Sequence, residues 1–403
     1  MTKFSISLFL LFQPFLMAIG QQITINNKLK ELSSDSVMVG AQRTELYFHL
    51  LKDKNVAVVA NHTSLIGNVH LVDSFFNAGI KIKKIFCPEH GFRGIAPAGE
   101  KIKNSLDPNT KIPVVSLYGS YYKPKPNDLK GIDIVIFDIQ DVGVRFYTYI
   151  STMTYVMEAC AENNIDFIVL DRPNPNGYYI DGPVLEKEYT SFVGLHPIPL
   201  VHGLTVAEYA QMVNGEEWLK NGVKCSLTCI PVKNYNHSYL YSLPIPPSPN
   251  LPNMNAVYLY PSLGFFEGTV ISVGRGTDFP FQVIGHPNLK NTSFSFIPET
   301  RSAASEPLYK GIQCYGYNLT EFADVYVKNL RSIYLYWLLE THKELVAQTS
   351  FFNSYFNQLA GISKLKEQII KGESEDVIRA SWQTDIKNYK KIRKKYLLYP
   401  DFE

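Results

Sequence analysis

Short apolar runs recur along the first half of the chain, each closed by polar, Gly or Pro residues. Asn55 to Ala60, Lys84 to Cys87, Pro113 to Leu117, Ile132 to Asp138 and Asp166 to Asp171 read as five strands. Near-continuous apolar runs mark strands covered on both faces, since a half-exposed strand alternates instead. Between them, Asn68 to Ala78 and Tyr149 to Glu162 carry helical spacing, the first closed by Gly79. Strands alternating with helices predict an α/β fold with a mostly parallel sheet.

Beyond these, Cys225 to Ile230 alternates, and Pro246 to Pro252 is a rigid loop, because each Pro fixes φ and lacks a ladder donor. After about Gly285 the pattern changes. Asn291 to Ser305 is polar, Cys314 to Leu319 reads as a strand, and helices follow. The basic stretch Asn388 to Tyr396 predicts a solvated helix face with its tyrosines inward. The expected division is residues 21–285 and a smaller α/β domain over 286–403, since so long a chain exceeds one typical core.

The start of the chain has another pattern. Lys3 precedes an apolar run from Phe4 to Ile19, and Ala18-Ile19-Gly20 supplies small residues. This predicts a signal peptide over 1–20, cleaved before Gln21, with export to the periplasm or outside the cell. The run falls short of the ~20 residues a spanning helix needs, and no later run reaches that length. Net charge is +2, or +1 without Lys3, which gives no electrostatic case for nucleic acid. The 26 Tyr suit sugar recognition, and equally suit a plain core. Cys87, Cys160, Cys225, Cys229 and Cys314 show no metal spacing, and Cys225 and Cys229 lie too far apart on a strand to bond, so isolated thiols are expected. No GxGxxG follows the first strand, so a dinucleotide is not expected. No metal or cofactor is called for.

Chemistry gathers where the strands end. The five runs deliver Asn61-His62-Thr63, Pro88-Glu89-His90-Gly91, Ser116-Leu117-Tyr118-Gly119, Asp138-Ile139-Gln140-Asp141 leading to Arg145 and Tyr147, and Asp171-Arg172-Pro173-Asn174. In a parallel sheet these ends share one rim, where open α/β folds bind ligands. Each cluster also has a structural reading: Asn61 or Thr63 as a helix cap, Asp171-Arg172 as an ion pair. Five together favour a site. Later, Glu267 stands among aromatics, and Arg275 lies between Gly274 and Gly276.

Several longer strings make the chain recognisable. Pro88-Glu89-His90-Gly91, Phe137 to Gly143, Leu170 to Pro175, Pro247-Ser248-Pro249-Asn250 and Ser272 to Thr277 occur in this order, with Tyr396-Leu397-Leu398-Tyr399 closing the chain. Together they resemble the exo-β-N-acetylmuramidase family NamZ, formerly a domain of unknown function with Bacillus and Bacteroidetes members. The resemblance implies a Rossmann-like domain, a smaller C-terminal α/β domain, and a site between them. It implies release of N-acetylmuramic acid from the non-reducing ends of peptidoglycan fragments (β-1,4 MurNAc-GlcNAc), in turnover or salvage. Glu89 matches the family's glutamate and takes its general acid/base role.

Glycosidases usually need a second carboxylate. Asp138, Asp141, Asp171, Glu267 and Asp278 qualify by type, with Asp141 set beside Glu89 as the catalytic pair, while the substrate's own acetamido group is a further nucleophile. Asn61, His90, Asp138, Gln140, Arg145, Tyr147, Arg172, Asn174, Glu267 and Arg275 are the expected substrate-binding residues. One of Arg145, Arg172 and Arg275 is expected to hold the lactyl carboxylate in a bidentate fork. Two alternatives stand: a serine esterase or amidase using Ser116 or Ser272 with His62 or His90, though no G-x-S-x-G elbow exists, and a non-catalytic muropeptide-binding protein.

Overall fold

A computed structural model describes residues 30–32, 36–89, 91–93, 105–119, 121–290 and 292–403. The proposed signal peptide and His90 lie outside the described residues. The apolar runs build a seven-stranded sheet in the spatial order Leu227–Ile230, Asp166–Leu170, Ile134–Asp138, Asn55–Ala60, Lys81–Cys87, Pro113–Ser116, Ser105–Leu106. Every pairing is parallel except the last, where the short edge strand runs antiparallel.

The unbroken apolar runs follow from two cores. Side chains alternate across a strand. Ala57, Val59, Val135 and Phe137 enter one core. Val56, Val58, Ile134 and Ile136 enter the other. No position on the Ile134–Asp138 strand is left for solvent.

From Asn55–Ala60 the chain builds outward to Pro113–Ser116, then returns to lay Ile134–Asp138 on the opposite side. That reversal is where a crevice opens at the strand ends. The Tyr149–Glu162 helix forms as the spacing predicts. The helix expected from Asn68 begins only at Leu71 and ends at Asn77. A small hairpin, Leu65–Ile66 against Val69–His70, occupies the preceding residues and turns at Gly67, whose φ of 59° favours glycine. His70 then caps the helix, its ring accepting the Val72 N–H.

The second unit centres on Cys314–Asn318, flanked antiparallel by Val283–His286 and Phe294–Phe296. The expected boundary at 285 falls inside the Val283–His286 strand. One apolar core runs from Phe137 and Val169 of the large sheet through Phe265 to Leu338 and Ile386 of the later helices, so the two units are packed together. All five cysteines are free thiols, Cys229 half-buried and the others buried. Among the described residues no helix is long and apolar enough to cross a membrane.

The basic helix, Gln383–Arg393, turns Ile386 and Tyr389 inward and leaves Lys387 and Lys391 exposed. Arg393 departs from the expected solvated face. It is buried, ion-paired with Asp401 at 2.7 Å and donating to the Gly203 carbonyl at 2.8 Å. Beyond it the chain returns to the large sheet. The Tyr399 hydroxyl donates to Asp171 Oδ2 at 2.5 Å and accepts the Val232 N–H, while the His237 N–H reaches the Pro400 carbonyl.

Candidate active site

A cleft of about 740 Å³ lies where the strand ends meet the second unit. From the sheet side come Glu89, Tyr118, Tyr122 and the segment Phe146 to Tyr149. The facing wall carries Glu267, Arg275, Ala303 to Leu308, Tyr355 and Gln358. Glu89 follows the Lys81–Cys87 strand by two residues and is half-buried. The Tyr118 hydroxyl hydrogen-bonds its carboxylate. Burial, then the Glu89 charge, push that hydroxyl well above its ordinary pKa, so it stays a donor.

Glu267 and Arg275 face the cleft as a pair. Arg275 Nε and Nη2 both donate to Glu267 Oε1, at 3.1 and 2.7 Å, and Nη1 and Oε2 stand outside the pair. The guanidinium lies 5.1 Å from the centre of the Phe281 ring. Burial alone would lower the arginine's pKa, and the Glu267 charge raises it above the ordinary value. The flanking glycines fix this geometry. Gly274 and Gly276 have φ of 74° and 83°, and a Cβ on Gly276 would meet the Glu299 carbonyl at 2.5 Å. Arg275 is the sole Lys, Arg or His among the described residues lining the cleft. Tyr147 also lines it, its hydroxyl held by the Pro247 carbonyl at 3.0 Å, so the proline loop braces this wall.

Of the expected site residues, Glu89, Tyr147, Glu267 and Arg275 therefore meet in the cleft. The other described ones do not line it. Asp138 and Arg172 pair with each other as a buried fork, at 2.6 Å from Nε and 2.9 Å from Nη2. Asn61 Oδ1 accepts the Thr63 N–H and hydroxyl, which is a turn. Gln140 Nε2 donates to the carbonyls of Asp141 and Pro173. Asn174 Nδ2 donates to the Leu204 carbonyl.

Among the described residues Arg145 has no carboxylate partner. It donates to the carbonyls of Pro183, Ile198, Leu359 and Ala360, the last two at the C-terminus of the Phe356–Ala360 helix. Burial pushes its pKa down to about 9. Asn61, Asp138, Gln140, Arg145, Arg172 and Asn174 are buried against protein groups and do not line the cleft. Arg172 with Asp138, Gln140, Arg145 and Asn174 reach protein groups 30 or more residues away, whereas Asn61 bonds Thr63 two residues on.

Asp141 is also buried and does not line the cleft. Its Oδ1 accepts the Gly143 N–H at 2.7 Å, and burial pushes its pKa up to about 7. Asp171 is held by Tyr399 and is likewise pushed up by burial to about 7. Asp278 is exposed and pairs with Arg301. Ser116 and Ser272 do not line the cleft, and neither does any histidine among the described residues. No group of three or more described His, Cys, Asp or Glu is arranged to hold a metal ion. Tyr122, Phe192, Tyr355 and the 303–308 segment escaped the sequence reading, since they sit in irregular chain with no periodic signal.

Comparison with known proteins bears on this geometry. Residues 56–255 match the profile described as "Exo-beta-N-acetylmuramidase NamZ, N-terminal", and residues 258–399 match its C-terminal counterpart. A curated relative, "Peptidoglycan beta-N-acetylmuramidase NamZ" of Bacillus subtilis (strain 168), is 40% identical over 88% of this chain and 89% of its own length. Two crystal structures of DUF1343 family proteins from Bacteroides fragilis NCTC 9343 are similar. One is 46% identical with a TM-score of 0.84, covering 91% of this chain and 99% of that one. The other is 28% identical with a TM-score of 0.75, covering 90% and 99%.

Proposed function

We propose, given that the chain belongs to the exo-β-N-acetylmuramidase NamZ family, that it hydrolyses the glycosidic bond of a terminal N-acetylmuramic acid in peptidoglycan fragments. It is a glycoside hydrolase. Supporting this most directly, Glu89 and the cation Arg275 share one cleft with a second carboxylate, Glu267. A carboxylic acid at the leaving oxygen and a second group on the anomeric side are what the reaction needs. Glu89 is the proton donor, and the Tyr118 hydroxyl fixes its orientation.

Glu267 suits the second position better than Asp141. It faces the same cleft, whereas Asp141 does not line it and sheds its proton only near neutrality. The second group acts as nucleophile, or orients the substrate's acetamido oxygen for that task. Arg275 receives the lactyl carboxylate on the guanidinium edge turned away from Glu267. A substrate lacking the lactyl group forgoes that ion pair.

Purified protein should release N-acetylmuramic acid from a chromogenic β-muramide and little N-acetylglucosamine from the matching β-glucosaminide. Equal rates on both would overturn the specificity. Export to the periplasm or beyond is supported by the charged start and apolar run before Gln21. The mature protein recovered from producing cells should begin at Gln21, and a cytosolic protein retaining Met1 would refute export.

A further inference from the structure

We infer that Tyr122 and Phe192, with Tyr155 beside them, form a platform for the sugar on the leaving side of the scissile bond, an N-acetylglucosamine ring. The inference rests on the muramidase reading above. The three rings come from separate pieces of chain: the loop after Pro113–Ser116, the irregular segment around residue 192, and the Tyr149–Glu162 helix. Tyr122 and Phe192 stack at 4.0 Å with 23° between planes. Tyr155 lies 6.3 Å from Phe192 at 7°, and 6.5 Å from Tyr122 at 20°.

Aromatic contacts of the buried wall are different in kind. Phe146 meets Tyr260 at 89°, and Tyr147 meets Tyr149 at 68°. Such crossed rings fill volume, and edge-to-face contact satisfies their quadrupoles. Tyr122 and Phe192 instead stack face to face, so each covers one face of the other and the slab they form offers a ligand its outer ring face. All three are half-buried, and Tyr122 and Phe192 line the cleft while Tyr155 does not. An aromatic face of this kind matches the apolar C–H face of a pyranose.

Position gives the slab its occupant. Tyr118 touches both ends of the argument. Its hydroxyl holds Glu89, and its ring sits 6.1 Å from Tyr122 and 6.2 Å from Phe192. One ring thus separates the acid from the platform. The oxygen that Glu89 protonates belongs to the departing sugar, so that sugar lies on the Glu89 side, over the rings. Glu267 and Arg275 stand on the facing wall, which leaves the muramic residue there. At about 740 Å³, the cleft has room for more than one sugar ring.

The test compares two substrates: the disaccharide MurNAc-β-1,4-GlcNAc, and an alkyl β-N-acetylmuramide whose leaving group has no ring. Phe192→Ala and Tyr122→Ala should each lower the ratio of kcat/KM values, disaccharide over alkyl glycoside, by about tenfold, the scale of one lost aromatic contact. The loss should fall on KM. Free N-acetylglucosamine should inhibit these variants more weakly than wild type, with inhibition by free N-acetylmuramic acid moving far less. Phe192→Tyr should restore the ratio. An unchanged ratio in both variants, in protein whose melting temperature matches wild type, overturns the platform while leaving the muramidase reading intact. A merely structural role predicts the same loss on both substrates, and that result also overturns it. Wild-type protein that releases no N-acetylmuramic acid overturns the muramidase reading itself, and the platform's assigned ligand with it.

Discussion

Two arginine–carboxylate pairs in this molecule look alike in sequence and behave differently in space. Asp138–Arg172 and Glu267–Arg275 both join a carboxylate near an element end to an arginine beside a turn. The first is sealed: side-chain exposure is 0% and 6%, and both carboxylate oxygens are taken by the guanidinium. The second is 26% exposed on each side, uses one carboxylate oxygen, and borders the cleft. Charge at a strand end therefore does not mark a site by itself. A group whose partners are all internal has nothing left for a ligand, while a half-used pair has.

The strongest way to sharpen that contrast lies in the cleft. Glu89→Gln should lower kcat by at least ~10³-fold with little change in melting temperature, since general acid catalysis alone contributes about 10²–10⁴. Steady-state kinetics on a β-muramide measures it, and a near-normal rate would remove Glu89 from the acid role. Arg172→Met should do the opposite. It strands the Asp138 carboxylate in a buried place, a loss of about 3–5 kcal/mol by denaturant titration, while the protein that does fold keeps its KM. A raised KM at unchanged stability would show that Arg172 serves the substrate.

Smaller effects follow. Arg275→Lys keeps the charge but not the fork, and should raise KM for muramides about tenfold. The same change should cost stability only about 0–1 kcal/mol, because the pair is partly solvated. A comparable rise in KM for glucosaminides would dissociate Arg275 from the lactyl group.

The buried histidines extend the comparison to pH. Burial pushes the His196 ring down to about 4. As pH falls below the ordinary value near 6.5, the unfolded chain takes up a proton that the folded ring refuses. Stability is therefore lost from about pH 6.5 down to about 4. His196→Phe should recover up to a few kcal/mol at pH 4.5 relative to pH 7, read by urea melts. Asp141 and Asp171, both pushed up to about 7, act in the opposite sense, since their folded forms keep a proton the unfolded chain loses above about pH 4. A pH-independent difference between His196→Phe and wild type would contradict the assignment.

How far the residues announce this arrangement depends on the range of the interactions involved. The five strands and the Tyr149–Glu162 helix are legible because burial on two faces, or on one helical stripe, is local and periodic. The rim at the strand ends is legible for the same reason. What is not legible is which rim groups satisfy one another. Asp138 and Arg172 are 34 residues apart, and Arg145 meets carbonyls more than 200 residues away. Nothing local distinguishes them from Glu89. The hairpin before Leu71 imitates helical spacing, because two short strands turning at a glycine also bring apolar residues close together. Phe192 and Tyr355 carry no period at all, and their alignment in the cleft is a property of the assembled chain.

The contact between Tyr399 and Asp171 also has a consequence in time. These residues are 228 positions apart, and the hydroxyl satisfies a carboxyl at the end of a sheet strand. During synthesis at about 5–20 residues per second, roughly 10–45 s separate the appearance of the two. Until then Asp171 lacks its hydroxyl partner, while its Oδ1 can already accept the Ala207 N–H. The Tyr399 segment is thus a late-made latch on the strand end, and a chain truncated before it should leave Asp171 short of one hydrogen bond.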